Sequence, residues 1–212
     1  MPREFVQGLV AEFHGAEADG GKFETRIRFM NFSTTVHDVM QLGHGTGDLL
    51  FLIKNYEKHL RAYAHAPLAW PVIVLFDNDD GARSLFGYAK NKGHPKIGLD
   101  STESFYYLGY NLYLVKTPEP GASKKSCIEN LFPPFLFKTM VDGKTFDPDK
   151  EHEEAGKYGK VIFAKRVVIP LAAKIDFSGF VPLLDRIVAV LDHHLALKTA
   201  KSSPPSAAAV SS

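Results

Sequence analysis

The sequence has one cysteine, almost no net charge and no long apolar run. The single cysteine, Cys127, excludes an internal disulfide framework and a zinc site made of cysteines. The formal net charge of +1 comes from 25 basic and 24 acidic residues, so a polyanion would have to bind a local basic patch. No stretch approaches the roughly 20 apolar residues of a membrane helix. The first residues lack the apolar length and flanks of a signal peptide, so we expect a cytoplasmic protein that does not enter membranes.

A common nucleotide-binding motif is also missing. Residues 43–48, GHGTGD, form a glycine-rich turn before a predicted helix, and such turns can hold phosphate through backbone N–H groups. The turn lacks the lysine of a Walker motif and does not match GxGxxG. It fits a tight strand-to-helix turn, which needs glycine torsions, better than a phosphate loop.

Apolar spacing predicts an α/β domain over residues 23–197. It follows a leader of small and acidic residues, 1–22, and precedes a low-complexity tail, 198–212, that we expect to be disordered. Alternating and continuous apolar runs predict strands, the helical period predicts helices, and their order is typical of layered α/β domains. Strands are predicted at 23–32, 72–76 and 104–118. Helices are predicted at about 48–63, after Gly81, at 126–133 and at 177–197. Residues 141–160 are predicted to be a solvated loop, and 161–170 fit either a helix or a strand.

The most informative segment is the apolar run Val72–Phe76, which is followed by three carboxylates within four residues. Branched and aromatic residues without polar alternation are typical of a strand buried on both faces of a mostly parallel sheet. Asp77 and Asp79 are two residues apart, so an extended backbone directs both side chains to one face. Clustered carboxylates favour Mg²⁺ or Mn²⁺, because a cation relieves their mutual repulsion. The alternative is that Asp77 and Asp80 are only a helix cap and a first-turn acid on an α/β loop.

Several segments together resemble one family, the TOPRIM-like domain on the C-terminal side of certain retron-type reverse transcriptases. The resemblance covers most of residues 23–195, and the order and spacing of the segments make it specific. TOPRIM domains are layered α/β domains with a central, mostly parallel sheet flanked by helices, so the resemblance implies that fold. The segments are LGHGTGDLLFLIKNY, PVIVLFDNDDGARSLF, YNLYLVKTP, CIENLF, DGKTF, YGKVIFAKRVV and IDFSGFVPLLDRI.

The resemblance implies roles for four acids. Asp77 and Asp79 match the family's DxD motif, which implies that they are catalytic and that they bind Mg²⁺ or Mn²⁺. Asp80 is then an adjacent metal ligand, and Glu129, in CIENLF, is implied as an additional ligand. The family's EGxxD motif has no match here, which leaves catalysis open. The YxDD motif of polymerases is absent too, and FDNDD opens a helix instead, so we expect no polymerase activity from this chain.

Three functions follow from these residues. The first is metal-dependent cleavage of RNA or DNA, which the resemblance links to an effector role in anti-phage defence, with Arg83, Lys90, Lys92 and Lys116 as candidate phosphate contacts. The second is an interaction module that binds a reverse transcriptase or its RNA–DNA hybrid product, which the missing EGxxD motif favours. The third is a phosphatase, because LFDNDDGA resembles a DxDG motif, although Gly81 stands where that motif requires threonine or valine.

Overall fold

The computed structural model describes residues 46–62, 70–119, 124–150 and 155–202. The strand predicted at 23–32 and the first half of the glycine-rich turn at 43–48 lie outside these residues. The described chain divides into two compact units. The first, called the sheet unit, contains the described residues up to 127 together with 182–202. The second, called the aromatic unit, contains residues 128–181.

The sheet unit contains three strands and three helices. The predicted strand Val72–Phe76 and the helix predicted at about 48–63 are both confirmed, and the helix after Gly81 begins as a 3-10 turn, Asp80–Ala82. In chain order the elements are α1 (Thr46–Ala62), β1 (Val72–Phe76), α2 (Arg83–Lys90), β2 (Tyr106–Gly109), β3 (Leu112–Lys116) and the long helix Val181–Ser202, whose first residue belongs to the aromatic unit.

The described strands of this unit form one sheet in the order β1, β3, β2. β1 pairs with β3 in parallel, with Val72 opposite Leu112 and Phe76 opposite Lys116, while β2 pairs with β3 antiparallel. All five residues of β3 are buried, because it is the middle strand, whereas most of β1 is half-buried. The expectation that β1 is the strand buried on both faces was therefore wrong, and β3 has that role.

The single strand predicted over 104–118 was also wrong, because the structure has a hairpin there. The backbone turns at Gly109 and Tyr110, whose φ angles are 111° and 55°. A left-handed backbone suits glycine and is uncommon for tyrosine, so the conformational preference of each residue favours the turn at Gly109 but not at Tyr110. The register shifts between Tyr107 and Gly109, which lets the short hairpin close.

The core of the sheet unit lies between the sheet and helices α1 and α2. Ile53 of α1 is buried, and Leu49, Leu50 and Tyr56 pack beside it at helical spacing, as expected for an amphipathic helix. Four residues of α2 and of the 3-10 turn before it recur every three or four positions, so they lie on one helix face and are buried against the sheet. These are Ala82, Leu85, Phe86 and Ala89.

The aromatic unit is held together by phenylalanine rings. Phe132 packs edge-on against Phe180 at a centroid distance of 4.9 Å, and Phe146 stacks on Phe163 at 4.4 Å. Edge-on and offset rings of this kind stabilise a core beyond the area they bury. The elements are 3-10 helices Ile128–Leu131, Pro134–Lys138, Ala172–Lys174 and Ser178–Phe180, strands β4 (Thr145–Phe146) and β5 (Lys157–Tyr158), and helix α3 (Lys160–Ile162), which continues as a π-helix (Phe163–Val168) and then as α4 (Ile169–Leu171).

The solvated loop predicted over 141–160 was partly wrong. β4 and β5 pair in parallel within it, and each carries one buried aromatic residue, Phe146 and Tyr158. The undecided segment 161–170 is helical. Gly179 allows a close approach of two backbones here, since a Cβ added to it would lie 2.2 Å from the Leu131 carbonyl oxygen.

The helix predicted at 177–197 begins after a 3-10 turn and is called α5 (Val181–Ser202). It continues past the predicted boundary, so residues 198–202 of the predicted tail are helical.

Within the sheet unit, α5 contacts the middle strand β3. Tyr113 Oη lies 3.1 Å from His193 Nδ1 and 3.2 Å from His194 Nδ1.

At the coarse level the chain is the mixed α/β protein that the sequence predicts, with helices and small sheets in which two of the three described strand pairings are parallel. Among the described residues, no single helix is long and apolar enough to cross a membrane, and the helices at 160–174 and 178–200 meet that criterion only as a bent pair.

Candidate functional site

The strand end that carries the acids is fixed by one buried residue, Asn78. Its backbone continues the extended path of β1, exchanging hydrogen bonds with Ser126 in an antiparallel bridge at N···O distances of 2.8 and 3.0 Å. The Asn78 side chain is fully buried. Its Nδ2 lies within 3.0 Å of three acceptors, which are the carbonyl oxygens of Leu99 and Lys124 and Oε1 of Glu119. Sequence reasoning passed over this asparagine because it concentrated on the acids on either side.

Beneath Asn78 lies a buried ionic cluster formed by Lys116, Glu119 and Arg186. Lys116, the last residue of β3, is fully buried and forms an ion pair with Glu119. Its ammonium also donates to the carbonyl oxygens of Gly98 at 3.1 Å and Leu99 at 3.0 Å. A buried charge costs free energy unless it is paired and hydrogen-bonded, and here all of these partners satisfy it.

Arg186 of α5 completes this ionic cluster. Its Nη1 donates to the Lys116 carbonyl oxygen at 2.8 Å, and its Nη2 lies 3.3 Å from Glu119 Oε2. Burial alone would raise the pKa of Glu119, but the hydrogen bond from Lys116 and the nearby positive charges outweigh burial and lower that pKa. Glu119 is therefore held as a carboxylate between two cations.

Asp77 and Asp79 lie on the other side of the strand from Asn78. Asn78 faces inward and the backbone at Asp79 is still extended, with φ −137° and ψ −175°, so the alternation of a strand turns both acids away from it. Both side chains are half-buried. Asp79 also caps the next helical turn, since its Oδ1 accepts a hydrogen bond from Gly81 N at 2.8 Å. The two acids thus share a face, and a cap is present, but the capping residue is Asp79 and not Asp77, which the alternative named.

Asp80 is engaged by two cations. Arg83 donates to its Oδ1 at 2.9 Å, and Lys125 pairs with its Oδ2. The hydrogen bond from Lys125, followed by that from Arg83, holds the pKa of Asp80 below its usual range. The side chain is exposed, and it lies in the first turn of the 3-10 helix, where the alternative interpretation expected an acid. This carboxylate is neutralised without a metal ion.

Glu129 belongs to the aromatic unit, in the 3-10 helix Ile128–Leu131. The residue is 9% exposed, and Lys160 Nζ lies 3.1 Å from its Oε2. This distance makes an ion pair, so the buried carboxylate has a cationic partner within its own unit.

No three histidine, cysteine, aspartate or glutamate side chains of the described residues are grouped as a metal site. Of the four predicted ligands, Asp77 and Asp79 lie on one face of the strand end, and the neighbouring Asp80 pairs with two cations. Glu129 belongs to the other unit. The roles of these residues as metal ligands stay predictions.

The basic residues proposed as phosphate contacts have separate surroundings. Lys116 is buried in the ionic cluster, so it cannot reach phosphate and its prediction as a phosphate contact was wrong. Arg83 pairs with Asp80, Lys92 pairs with Glu57 of α1, and Lys90 is exposed on α2.

The pairing of Lys92 belongs to a second polar group, which sequence reasoning missed. Glu57 is only 6% exposed and accepts hydrogen bonds from Lys92, Arg61 and the Tyr88 hydroxyl. Burial alone would raise the pKa of Glu57, but the hydrogen bonds from Lys92, Tyr88 and Arg61 outweigh it and lower the pKa. An open pocket of about 330 Å³ lies at this group. The sequence signal is the spacing of Lys54, Lys58 and Arg61, which places three cations on one face of α1.

No protein-family model matches the chain, and no solved structure matches it. The TOPRIM resemblance described above therefore stays a prediction.

Proposed function

We propose that the chain is a TOPRIM-like domain of a retron-type reverse transcriptase system that cleaves RNA or DNA with Mg²⁺ or Mn²⁺, in cytoplasmic anti-phage defence. The observation that carries this proposal is the face that Asp77 and Asp79 share at the end of β1, where the backbone is extended and both side chains are half-buried. Two carboxylates on one face repel each other, and a divalent cation would relieve that repulsion. Glu129, which the family resemblance implies as an additional ligand, lies in the aromatic unit and pairs with Lys160.

The strand end after β1 holds these two acids in a fixed position. Asn78 between them is anchored by the buried hydrogen bonds described above. Oxygen ligands on a rigid strand end suit Mg²⁺, which demands near-ideal geometry. In this role Asp77 and Asp79 hold the cation, Asp80 is the adjacent acid, and Glu129 is a separate acid of the aromatic unit that the resemblance implies as a ligand. When bound, the cation would polarise a phosphate and activate water.

A second candidate function is favoured by a different observation. Asp79 already caps a helical turn and Asp80 is paired with Arg83 and Lys125. If these are the only roles of the acids, the chain is a binding module for the reverse transcriptase or its RNA–DNA hybrid and does not cleave it. The missing EGxxD motif favours the same alternative.

Calorimetric titration with Mg²⁺ and Mn²⁺, combined with cleavage of labelled RNA and DNA, distinguishes the two functions. The variants are Glu129→Gln and the double variant Asp77→Asn, Asp79→Asn, which keeps the capping ability of residue 79 because asparagine also caps helices. The matched control is Asp185→Asn on the exposed face of α5.

The nuclease proposal expects metal binding and cleavage in the parent and in the control, and loss of both in the two test variants with unchanged circular dichroism. Metal binding without cleavage, or neither, together with capture of an RNA–DNA hybrid, would support the binding module. Cleavage that survives in both test variants would overturn the assignment of these acids.

A further inference from the structure

The pocket between α1 and α2 is strongly basic and has no role in the proposed function. Six side chains line it, and four of them are cations while only one is a carboxylate. The single acid, Glu57, is buried beneath its three donors, so the charge that remains at the pocket is positive. The lining residues are Lys54, Glu57, Lys58, Arg61, Tyr88 and Lys92.

Glu57 organises the pocket. It holds Lys92 of the segment after α2 and Arg61 of α1, which brings cations from two parts of the chain to one place. The Tyr88 ring forms one wall, with Lys92 Nζ 5.4 Å and Lys54 Nζ 5.9 Å from its centroid. Cation–π attraction of this kind favours positions of the ammonium groups near the ring.

Two of the cations are available to a ligand. Lys54 and Lys58 are exposed, are four residues apart on α1, and form no ion pair with any other residue that the structure describes. Arg61 follows one turn later and uses Nη2 for Glu57, which leaves further guanidinium donors. Three positive groups thus lie along one face of α1, beside the Tyr88 ring. They match the negative charge and the several acceptor oxygens of a phosphate group.

We propose that this pocket binds a phosphate group, with Lys54, Lys58 and Arg61 as its direct contacts and Glu57 as the residue that positions Arg61 and Lys92. The phosphate belongs either to a small phosphorylated molecule or to a nucleic acid. Binding here does not depend on a metal ion, because all the contacts are cationic side chains.

The test is calorimetry in EDTA with three probes, which are inorganic pyrophosphate, a 5′-phosphorylated DNA 10-mer and the same 10-mer with a 5′-hydroxyl. The double variant Lys54→Gln, Lys58→Gln is compared with Lys96→Gln, Lys174→Gln, which removes two exposed lysines outside the pocket lining and so has the same net charge. We expect about a tenfold weaker affinity for each pocket lysine removed. For DNA, the salt dependence of the affinity should also fall by about one unit of slope per lysine.

Pyrophosphate binding that is lost in the pocket variant and kept in the control would identify a free phosphorylated ligand. Binding of the 10-mers alone, lost in the same variant, would identify nucleic acid, and a preference for the 5′-phosphate would identify a terminal phosphate. Equal weakening in both double variants, or no binding of any probe, would overturn the proposal. EDTA removes any metal ion that Asp77 and Asp79 could hold, so phosphate binding through such an ion is excluded. The Asp77→Asn, Asp79→Asn variant should therefore bind these probes like the parent. A failure of the proposed metal site and a failure of the proposed pocket are thus distinguishable.

Discussion

Replacing Lys116 by methionine should destabilise the sheet unit, because the ammonium group is fully buried and four acceptors surround it. These are a carboxylate oxygen of Glu119, Oδ1 of Asn78 at 3.4 Å and the carbonyl oxygens of Gly98 and Leu99. Methionine fills a similar volume without the charge. The variant therefore isolates the ionic contribution from the packing of β3.

The magnitude follows from what each partner keeps. Removing one member of a buried ion pair costs about 3–5 kcal/mol when the other charge is left alone. Glu119 retains Arg186 and the Asn78 amide, and the Gly98 carbonyl retains the Ser101 hydroxyl at 2.7 Å. Among the described residues, the one acceptor that loses its donor is Asn78 Oδ1, which at 3.4 Å is the most distant of the four. We therefore expect the lower end, about 3 kcal/mol.

The assay is urea unfolding followed by circular dichroism, together with hydrogen exchange of the β3 amides. A loss of about 3 kcal/mol should accelerate exchange through global opening by about two orders of magnitude. The control is Lys90→Met at an exposed position of α2, whose free energy of unfolding should stay within about 0.5 kcal/mol of the parent value. If Lys116→Met also stays within about 1 kcal/mol, the reasoning that the ammonium is buried and paired is refuted.

Three further predictions concern the cap, the close backbone contact and the pH dependence. Asp79→Ala should lose about 1 kcal/mol of stability and Asp79→Asn much less, since only the first removes the acceptor for Gly81 N; equal urea midpoints would contradict the capping role. Gly179→Ala should cost about 1–3 kcal/mol in the thermal unfolding of the aromatic unit, because the new Cβ meets the Leu131 carbonyl oxygen, and an unchanged Tm would show that the backbones separate freely. Because Glu119 has a lowered pKa, its contribution to stability is complete above its ordinary pKa of 4.5 and disappears as the pH falls below that value. Denaturant titrations from about pH 6 to about pH 3 should therefore show a smaller acid loss in Glu119→Gln than in the parent.

The elements that the sequence predicts well are those that local pattern determines. The helix at Thr46–Ala62 follows from apolar residues at helical spacing, and β1 follows from an unbroken apolar run ended by charge. An acidic cap after β1 was predicted as an alternative, because acids at helix starts are a local signal, but the structure has Asp79 in that role and not Asp77.

What the sequence does not predict depends on contacts between distant residues. Lys116 reads as a surface lysine, and only its position at the end of the middle strand, opposite Arg186 of α5, makes it buried. Phe146 and Tyr158 sit in a polar stretch, and their pairing across β4 and β5 becomes visible only when the two short strands meet. Tyr110 has a left-handed backbone that its side chain disfavours, so the hairpin is imposed by the sheet.

The sheet unit has a consequence for the order in which the chain is made. Its strands end before residue 120, while Arg186, His193 and His194 of α5, which contact β3, follow the whole aromatic unit in the sequence. Domains generally fold as units during synthesis, starting from the N-terminal side. A nascent chain that has emerged only as far as residue 181 contains the described strands of this sheet but lacks Arg186, the second cation beside Glu119. We therefore expect the sheet unit to be more susceptible to proteolysis before α5 emerges than after it has packed on β3.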